Sequence, residues 1–215
     1  MPVMKMRTVV LVCFFLAACG SGNGAADYAL AVKYMRGDGV QKDEAKAMSY
    51  LTKAVEAGNP NAQLGLGYYY LKGTGGIQKD PVKALNLFTQ AAEQGNPDAQ
   101  YNVGLAYVRG EGVVKDLAQA YTWFEKAAYQ DDAGAQYNVG VMSINGEGRA
   151  VDPLVAYVWF RLANDKQYNG AKEGMDVAMA SMNDEQKKQT DREYSRVARK
   201  IKRPAGKTAN VSQPL

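Results

Sequence analysis

The stretch AQYNVGLAYVRGEGVVKD, Ala99–Asp116, is followed 36 residues later by a near copy, AQYNVGVMSINGEGRAVD, at Ala135–Asp152. Aligning the copies shows that an alanine opens each unit, at intervals of 36 or 37 residues. These alanines are Ala26, Ala62, Ala99, Ala135 and Ala171. A fixed period of this length is typical of stacked helix pairs. The sequence therefore predicts an array of repeats.

The first segment of each unit has the pattern of a closely packed helix. An apolar residue stands four positions after the alanine, and in three units a tyrosine stands eight positions after it, so the three share one helix face. Position five holds Ala31, Gly67, Gly104 and Gly140. A glycine inside a helix costs up to about 1 kcal/mol, so its recurrence indicates that another helix approaches too closely for a larger side chain.

A second helix follows a Gly-x-Gly break in every unit. The break residues are Gly37 and Gly39, Gly73 and Gly75, Gly110 and Gly112, and Gly146 and Gly148. Glycine suits a helix C-terminus, and the aspartates that follow suit an N-cap. These are Asp43, Asp80, Asp116 and Asp152. Each second helix then carries two alanines that flank a large residue, namely Leu51, Phe88, Phe124 or Phe160. Alternating small and large residues allow two helices to interlock.

The pattern Ala-x-x-x-Leu-Gly-x-x-Tyr-x-x-Gly-x-Gly, then Asp, then Ala-x-x-Trp-Phe-x-x-Ala-Ala, resembles the Sel1-like repeat. Ala99–Ala128 matches nearly throughout, whereas the unit from Ala135 has Ser143 in place of the tyrosine. The resemblance implies an all-α fold, a right-handed α-solenoid of about four repeats with C-terminal capping helices over residues 26–200. It also implies a concave groove that binds partners, as an adaptor or scaffold.

The first residues read as an export signal over residues 1–18, with Lys5 and Arg7 before an apolar run. Leu16–Cys19 resembles a bacterial lipobox, which implies a lipid on Cys19 and a flexible linker over residues 19–25. A secretory signal without lipid is the alternative. Gly20 and Ser21 stand directly after Cys19, in place of the aspartate that retains lipoproteins at the inner membrane, and the resemblance therefore implies the outer membrane of the bacterial cell envelope.

The amino-acid composition excludes most kinds of metal site and catalytic site. The chain has no histidine, and its two cysteines, Cys13 and Cys19, both lie in or beside the signal. Most zinc, copper and haem ligation and most Ser-His or Cys-His catalysis are thereby excluded. We expect no cofactor, metal site or catalytic residue, and no binding of nucleic acid by an exported protein.

A helical wheel assigns positions three, seven and ten of the first helices to the side away from the packing face. The candidate partner-binding residues are Lys33, Arg36, Tyr69, Lys72, Asn102, Arg109, Asn138 and Asn145. This mixture of groups suits a peptide, an acidic segment or a glycan. An ordinary solvated face is the alternative, because cations also stabilise helix C-termini.

A basic cluster ends the chain, with residues 201–215 expected to form a disordered tail. The cluster comprises Arg196, Arg199, Lys200, Lys202, Arg203 and Lys207. Such a tail could contact an anionic surface, or it could be a solvated end. The sequence thus favours a membrane-anchored, non-enzymatic scaffold for another envelope protein or peptide. A peptidoglycan- or glycan-binding module is the second hypothesis.

Overall fold

The computed structural model describes residues 23–201, and within that range the chain forms ten α-helices and no strand. The helices are α1 (Ala25–Arg36), α2 (Glu44–Glu56), α3 (Pro60–Lys72), α4 (Pro81–Glu93), α5 (Pro97–Arg109), α6 (Leu117–Tyr129), α7 (Ala133–Asn145), α8 (Pro153–Asp165), α9 (Ala171–Ala180) and α10 (Asp184–Ile201). The signal segment, Cys19 and tail residues 202–215 lie outside the described residues.

The helices stack as four repeats, which confirms the α-solenoid. In each repeat the first helix packs against the second. The second helices α2, α4 and α6 also pack against the first helix of the next repeat. Helix α1 begins one residue before the expected start of the array, and α10 includes Ile201, one residue beyond its expected end. Among the described helices, none is long and apolar enough to span a membrane.

Local sequence sets the helix ends as expected. The first helices end at glycines in the left-handed conformation, with φ of 80°, 68°, 70° and 72° at Gly37, Gly73, Gly110 and Gly146. The second helices begin at aspartate N-caps; the Asp80 carboxylate, for example, accepts a hydrogen bond from the Lys83 amide at 3.0 Å. The sequence reading missed a further set of caps, Asn59, Asn96 and Asp132, which begin α3, α5 and α7.

The position-five glycines lie against the large residues of the second helices. A Cβ atom at Gly67 would lie 2.5 Å from Phe88, and one at Gly104 would lie 2.7 Å from Phe124. Real Cβ atoms do not approach a ring so closely, so only glycine fits. The first repeat instead combines Ala31 with the smaller Leu51 in one buried cluster. The predicted close approach of the two helices is therefore confirmed.

Helices α9 and α10 close the C-terminal end of the array. Gly174 of α9 lies against Phe160, and the polar helix α10 packs across α8. Val197 enters the buried cluster that contains Val158 and Leu162. The equivalent residues of the preceding repeat are the exposed Thr122 and Lys126. The change from polar to apolar at these two positions was therefore a signal for the docking of α10.

Candidate interaction surface

Two rows of side chains run along the first helices of the four repeats. They occupy positions six and ten after the alanine that opens each unit, and we call them the first-helix surface. Its residues are Val32, Arg36, Tyr68, Lys72, Leu105, Arg109, Val141 and Asn145, all exposed or half-buried. The position-ten row ends the helices and is basic in three repeats. Because helix C-termini carry partial negative charge, cations are stabilised there.

Tyr68 is the most polar member of the position-six row and is held from two sides. The Lys72 Nζ atom lies 5.8 Å from the centroid of the Tyr68 ring, and the Asn102 side-chain amide donates to the Tyr68 hydroxyl at 2.7 Å. Burial raises the pKa of Tyr68, and the hydrogen bond from Asn102 opposes that shift. The phenol is therefore neutral at physiological pH and presents a fixed, partly exposed ring.

Asn102 differs from the expectation that it faces solvent. Its side chain is only 9% exposed, and it donates to the carbonyl oxygen of Asp98 at 2.6 Å as well as to Tyr68. Both amide protons are thus used inside the array. The assignment of Asn102 to the outward side of the helix is therefore wrong, because Asn102 is buried beside Tyr68 of the preceding repeat and positions the Tyr68 ring.

Position seven also differs from the expectation of an outward-facing side chain, because it faces the preceding repeat. Ala106 and Met142 are buried at this position, and the half-buried Tyr69 hydroxyl lies 3.8 Å from the Met35 Sδ atom of the first repeat. A helical wheel for one helix pair assigns a single buried stripe, whereas an array buries a second stripe against its neighbour. Among the four repeats, position seven is exposed only at Lys33 of α1, because no described residue packs there as a preceding repeat would.

The other candidates lie at the surface. Arg36, Lys72, Arg109 and Asn145 are exposed, and Asn138 is half-buried. Arg109 Nη1 lies 3.7 Å from Glu111 Oε2, which leaves the guanidinium mostly solvated. The structure therefore aligns the position-ten residues on the surface, whereas Tyr69 is half-buried and Asn102 is buried. Sequence reasoning missed Tyr68, because three successive tyrosines at residues 68–70 hide which of them faces outward.

The surface contains no deep pocket around these residues. A cavity of about 20 Å³ lies beneath Asn102 and Arg109, against Phe88. That volume holds about one water molecule and no larger ligand. Among residues 23–201, no three His, Cys, Asp or Glu side chains are grouped so that they could hold a metal ion. The geometry suits contact with an extended surface or segment.

Comparison with known proteins identifies the repeat. The family model described as Sel1 repeat matches residues 24–59, 60–96, 97–132 and 133–168. A Sel1 repeat protein from Oxalobacter formigenes is 33% identical, with a TM-score of 0.68 over 72% of this chain and 45% of that one. A protective antigen of uropathogenic Escherichia coli with an SLR fold is 25% identical, with a TM-score of 0.55 over 90% of this chain and 51% of that one. This chain thus spans about half the length of each. No curated protein matches it.

Proposed function

Because the chain belongs to the Sel1 repeat family, whose members are generally protein–protein interaction scaffolds, we propose that it is a non-enzymatic scaffold that binds an acidic protein segment. The binding site is the first-helix surface. The partner is a segment of another envelope protein, because the N-terminal sequence reads as an export signal.

The alignment of a basic side chain at position ten in three successive repeats carries this proposal. Arg36, Lys72 and Arg109 occupy equivalent positions and are all exposed, beside the apolar row that includes Tyr68 and Leu105. Packed helices lie about 10 Å apart, and an extended chain advances about 3.3 Å per residue. An extended segment with a carboxylate at about every third residue therefore matches the basic row, while its intervening side chains contact the apolar row.

The proposal includes an anchor. Leu16–Cys19 resembles a lipobox, so Cys19 carries lipid and holds the array at a membrane, the outer membrane in this proposal. Two or more acyl chains anchor a protein firmly, because each buried methylene contributes about 0.8 kcal/mol. The basic tail, with Lys202, Arg203 and Lys207, is a second candidate contact with an anionic surface.

The non-enzymatic character rests on the side chains present. The chain has no histidine, and the repeats contain no cysteine, so most acid–base and nucleophile pairs have no member here. The carboxyl groups whose pKa values are shifted, Asp43, Asp80 and Asp132, are helix N-caps. Their shifts therefore have a structural explanation and need no catalytic one.

A photo-crosslinking amino acid at Tyr68 in living cells tests the scaffold, with Lys187 on the polar face of α10 as the control site. We expect a discrete protein to be captured at Tyr68 and not at Lys187. The variant Lys72→Glu/Arg109→Glu should abolish that capture, whereas Lys187→Glu/Lys188→Glu should leave it unchanged. Capture that survives the first variant, or that is equal at both sites, contradicts the proposal.

A glycan-binding module is the second candidate, favoured by the exposed ring of Tyr68 and the exposed amide of Asn145. Aromatic faces and amides are the groups that sugars contact in protein sites. Sedimentation with purified peptidoglycan, with no other protein added, separates the two functions. Binding that is lost in Tyr68→Ala but retained in Lys72→Glu/Arg109→Glu favours the glycan.

A further inference from the structure

The two ends of the array differ in how well they are covered. At position four of the first helix, Leu66, Val103 and Val139 are 8%, 1% and 0% exposed, whereas Leu30 of α1 is 36% exposed. Ala26 is likewise exposed, although the alanines that open the next three units are fully buried. In those units the covering element is the second helix of the preceding repeat. Within residues 23–201, nothing takes that place on α1.

The uncovered side of α1 is apolar with a cation near one end. Ala26, Ala29, Leu30 and Lys33 are all exposed, and we call them the α1 end face. They lie at successive intervals of three, one and three residues, so they form one stripe of a helix. An apolar stripe beside a cation can contact an anionic lipid surface through both apolar burial and charge attraction.

We propose that the α1 end face rests on the anionic membrane surface to which Cys19 is anchored, so that the array stands on the bilayer by its first repeat. This deepens the proposed function and rests on it, since it takes the lipid on Cys19 as given. It adds an orientation: α9 and α10, at the other end of the array, lie farthest from the membrane.

The short connection between Cys19 and α1 supports the bilayer as the surface that covers the α1 end face. Cys19 precedes Asn23 by four residues, which span at most about 14 Å when fully extended. Gly24 lies against the backbone of Ala54, where an added Cβ would be 2.8 Å from the carbonyl oxygen, so the start of α1 is fixed against α2. A lipid on Cys19 therefore holds α1 within that distance of the headgroups.

A second copy of the chain is a weaker occupant. Helix α1 has 12 residues, so it is about 18 Å long and about 10 Å across. One such face buries roughly 200 Å² per copy, well below the roughly 800 Å² per partner of a stable interface. A membrane contact needs no such area, because the lipid supplies the anchoring and the end face supplies only the orientation.

The test uses the full chain in cells, with a photo-crosslinking amino acid at Leu30 and a control at Val177. Val177 is likewise an exposed branched aliphatic residue, 56% exposed against 36% for Leu30, but it lies on α9 at the other end of the array. We expect phospholipid to be crosslinked at Leu30 and not at Val177. Lipid capture that is equal at the two sites, or capture of a second copy of the chain at Leu30, overturns the proposal.

A charge reversal supplies the second arm. Lys33→Glu should reduce lipid crosslinking at Leu30 at least about fivefold, because it exchanges attraction to the anionic surface for repulsion, whereas Lys187→Glu should not change it. An equal effect of the two variants overturns the proposal. Mass measurement of the mature N-terminus is made in parallel. If Cys19 carries no lipid, the anchor of the proposed function fails; if it carries lipid but Leu30 captures none, only the orientation fails.

Discussion

Gly104 and Phe124 show how one residue sets the distance between the helices of a repeat. Phe124 is 1% exposed, so its ring cannot move away from a side chain added at position 104. The first repeat solves the same packing problem with Ala31 and Leu51, a larger residue on one helix and a smaller one on the other. The sizes of the residues at the two positions are therefore coupled.

We expect Gly104→Ala to lower the free energy of unfolding by about 1–2 kcal/mol in denaturant titrations, because overpacking outweighs the gain of up to about 1 kcal/mol in helix propensity. Gly65→Ala is the control, since its Cβ would meet only Leu51 at 3.7 Å, an ordinary contact. It should be neutral or stabilising. Adding Phe124→Leu to Gly104→Ala should cost less than the sum of the two single effects. Strict additivity would contradict the coupling.

Asp132, which caps the first helix α7, and Asp80, which caps the second helix α4, have pKa values shifted in opposite directions. Burial raises the pKa of Asp132, the hydrogen bond from the Ala135 amide opposes the shift, and the Asp98 carboxylate adds to it. The proton is thus held more tightly in the folded chain than in the unfolded chain. The stability contributed by protonated Asp132 is present below the unfolded pKa and is lost as pH rises through the folded pKa.

Asp132→Asn should therefore stabilise the protein at neutral pH, with the gain disappearing as pH falls below the ordinary aspartate range. Asparagine already caps α3 and α5 at the equivalent positions, so the cap itself is retained. Asp80→Asn is the matched control. Hydrogen bonding by the Lys83 amide lowers the pKa of Asp80, so that variant should lose stability towards neutral pH. Unfolding free energies measured across pH check both signs, and parallel trends would contradict the assignment.

At the scale of elements, a glutamine at the C-terminus of the second helix is hydrogen-bonded to a buried glutamine of the first helix in the second and third repeats. Gln94 donates to Gln63 Oε1 at 2.8 Å, and Gln130 donates to Gln100 Oε1 at 2.8 Å. The fourth repeat breaks this series. Gln136 is fully buried, and its Oε1 has no hydrogen-bond partner among the described residues.

Lys166 occupies the position of Gln94 and Gln130, but its Nζ pairs with Asp131 Oδ2 at 2.7 Å. We expect Lys166→Gln to stabilise the protein by about 1 kcal/mol, because an unsatisfied buried acceptor costs more than a partly exposed ion pair contributes. Lys166→Ala separates the two effects, since it removes the ion pair without supplying a donor, and should be neutral or destabilising. If both variants have the same unfolding free energy in thermal and denaturant titrations, the new hydrogen bond has not formed.

The unit with Ser143 shows a compensation between neighbouring elements. Ser143 takes the place of the position-eight tyrosine and is fully buried. The Tyr121 hydroxyl reaches from α6 to within 3.5 Å of Ser143 Oγ, and Arg149 Nη1 donates to that hydroxyl at 2.5 Å. A tyrosine from the preceding repeat therefore supplies an aromatic ring beside the serine of this unit.

At the scale of the whole molecule, the burial of equivalent residues increases from the first repeat towards the later ones. The first repeat buries its position-four residue least, whereas the last repeat is covered by α9 and α10. In a stacked array each repeat is stabilised by its own packing and by its nearest neighbours, so a missing neighbour lowers local stability. The local free energy of opening should therefore rise from α1 towards the central repeats.

Native-state hydrogen exchange should reveal this gradient. In a chain beginning at Asn23, which contains every contact described above, we expect the amides of α1 to exchange by local opening at lower free energy than those of α5 and α7. The same measurement on membrane-bound full chain should raise the protection of α1 selectively. Uniform protection along the soluble array would contradict the gradient.

The sequence alone was enough to predict the number of repeats, the pairing of helices, the C-termini of the first helices, the N-caps of the second helices and the glycine–aromatic contacts. Each of these depends on interactions within about one period of the chain, so the repeated pattern reports them directly. Which residues face outward depended on how the repeats stack. Asn102 and Tyr69 are covered by a neighbouring repeat, Tyr68 is exposed, and Leu30 is uncovered. A helical wheel represents packing against one partner, whereas every helix inside an array packs against at least two. The second partner is known only once the stacking of the repeats is known.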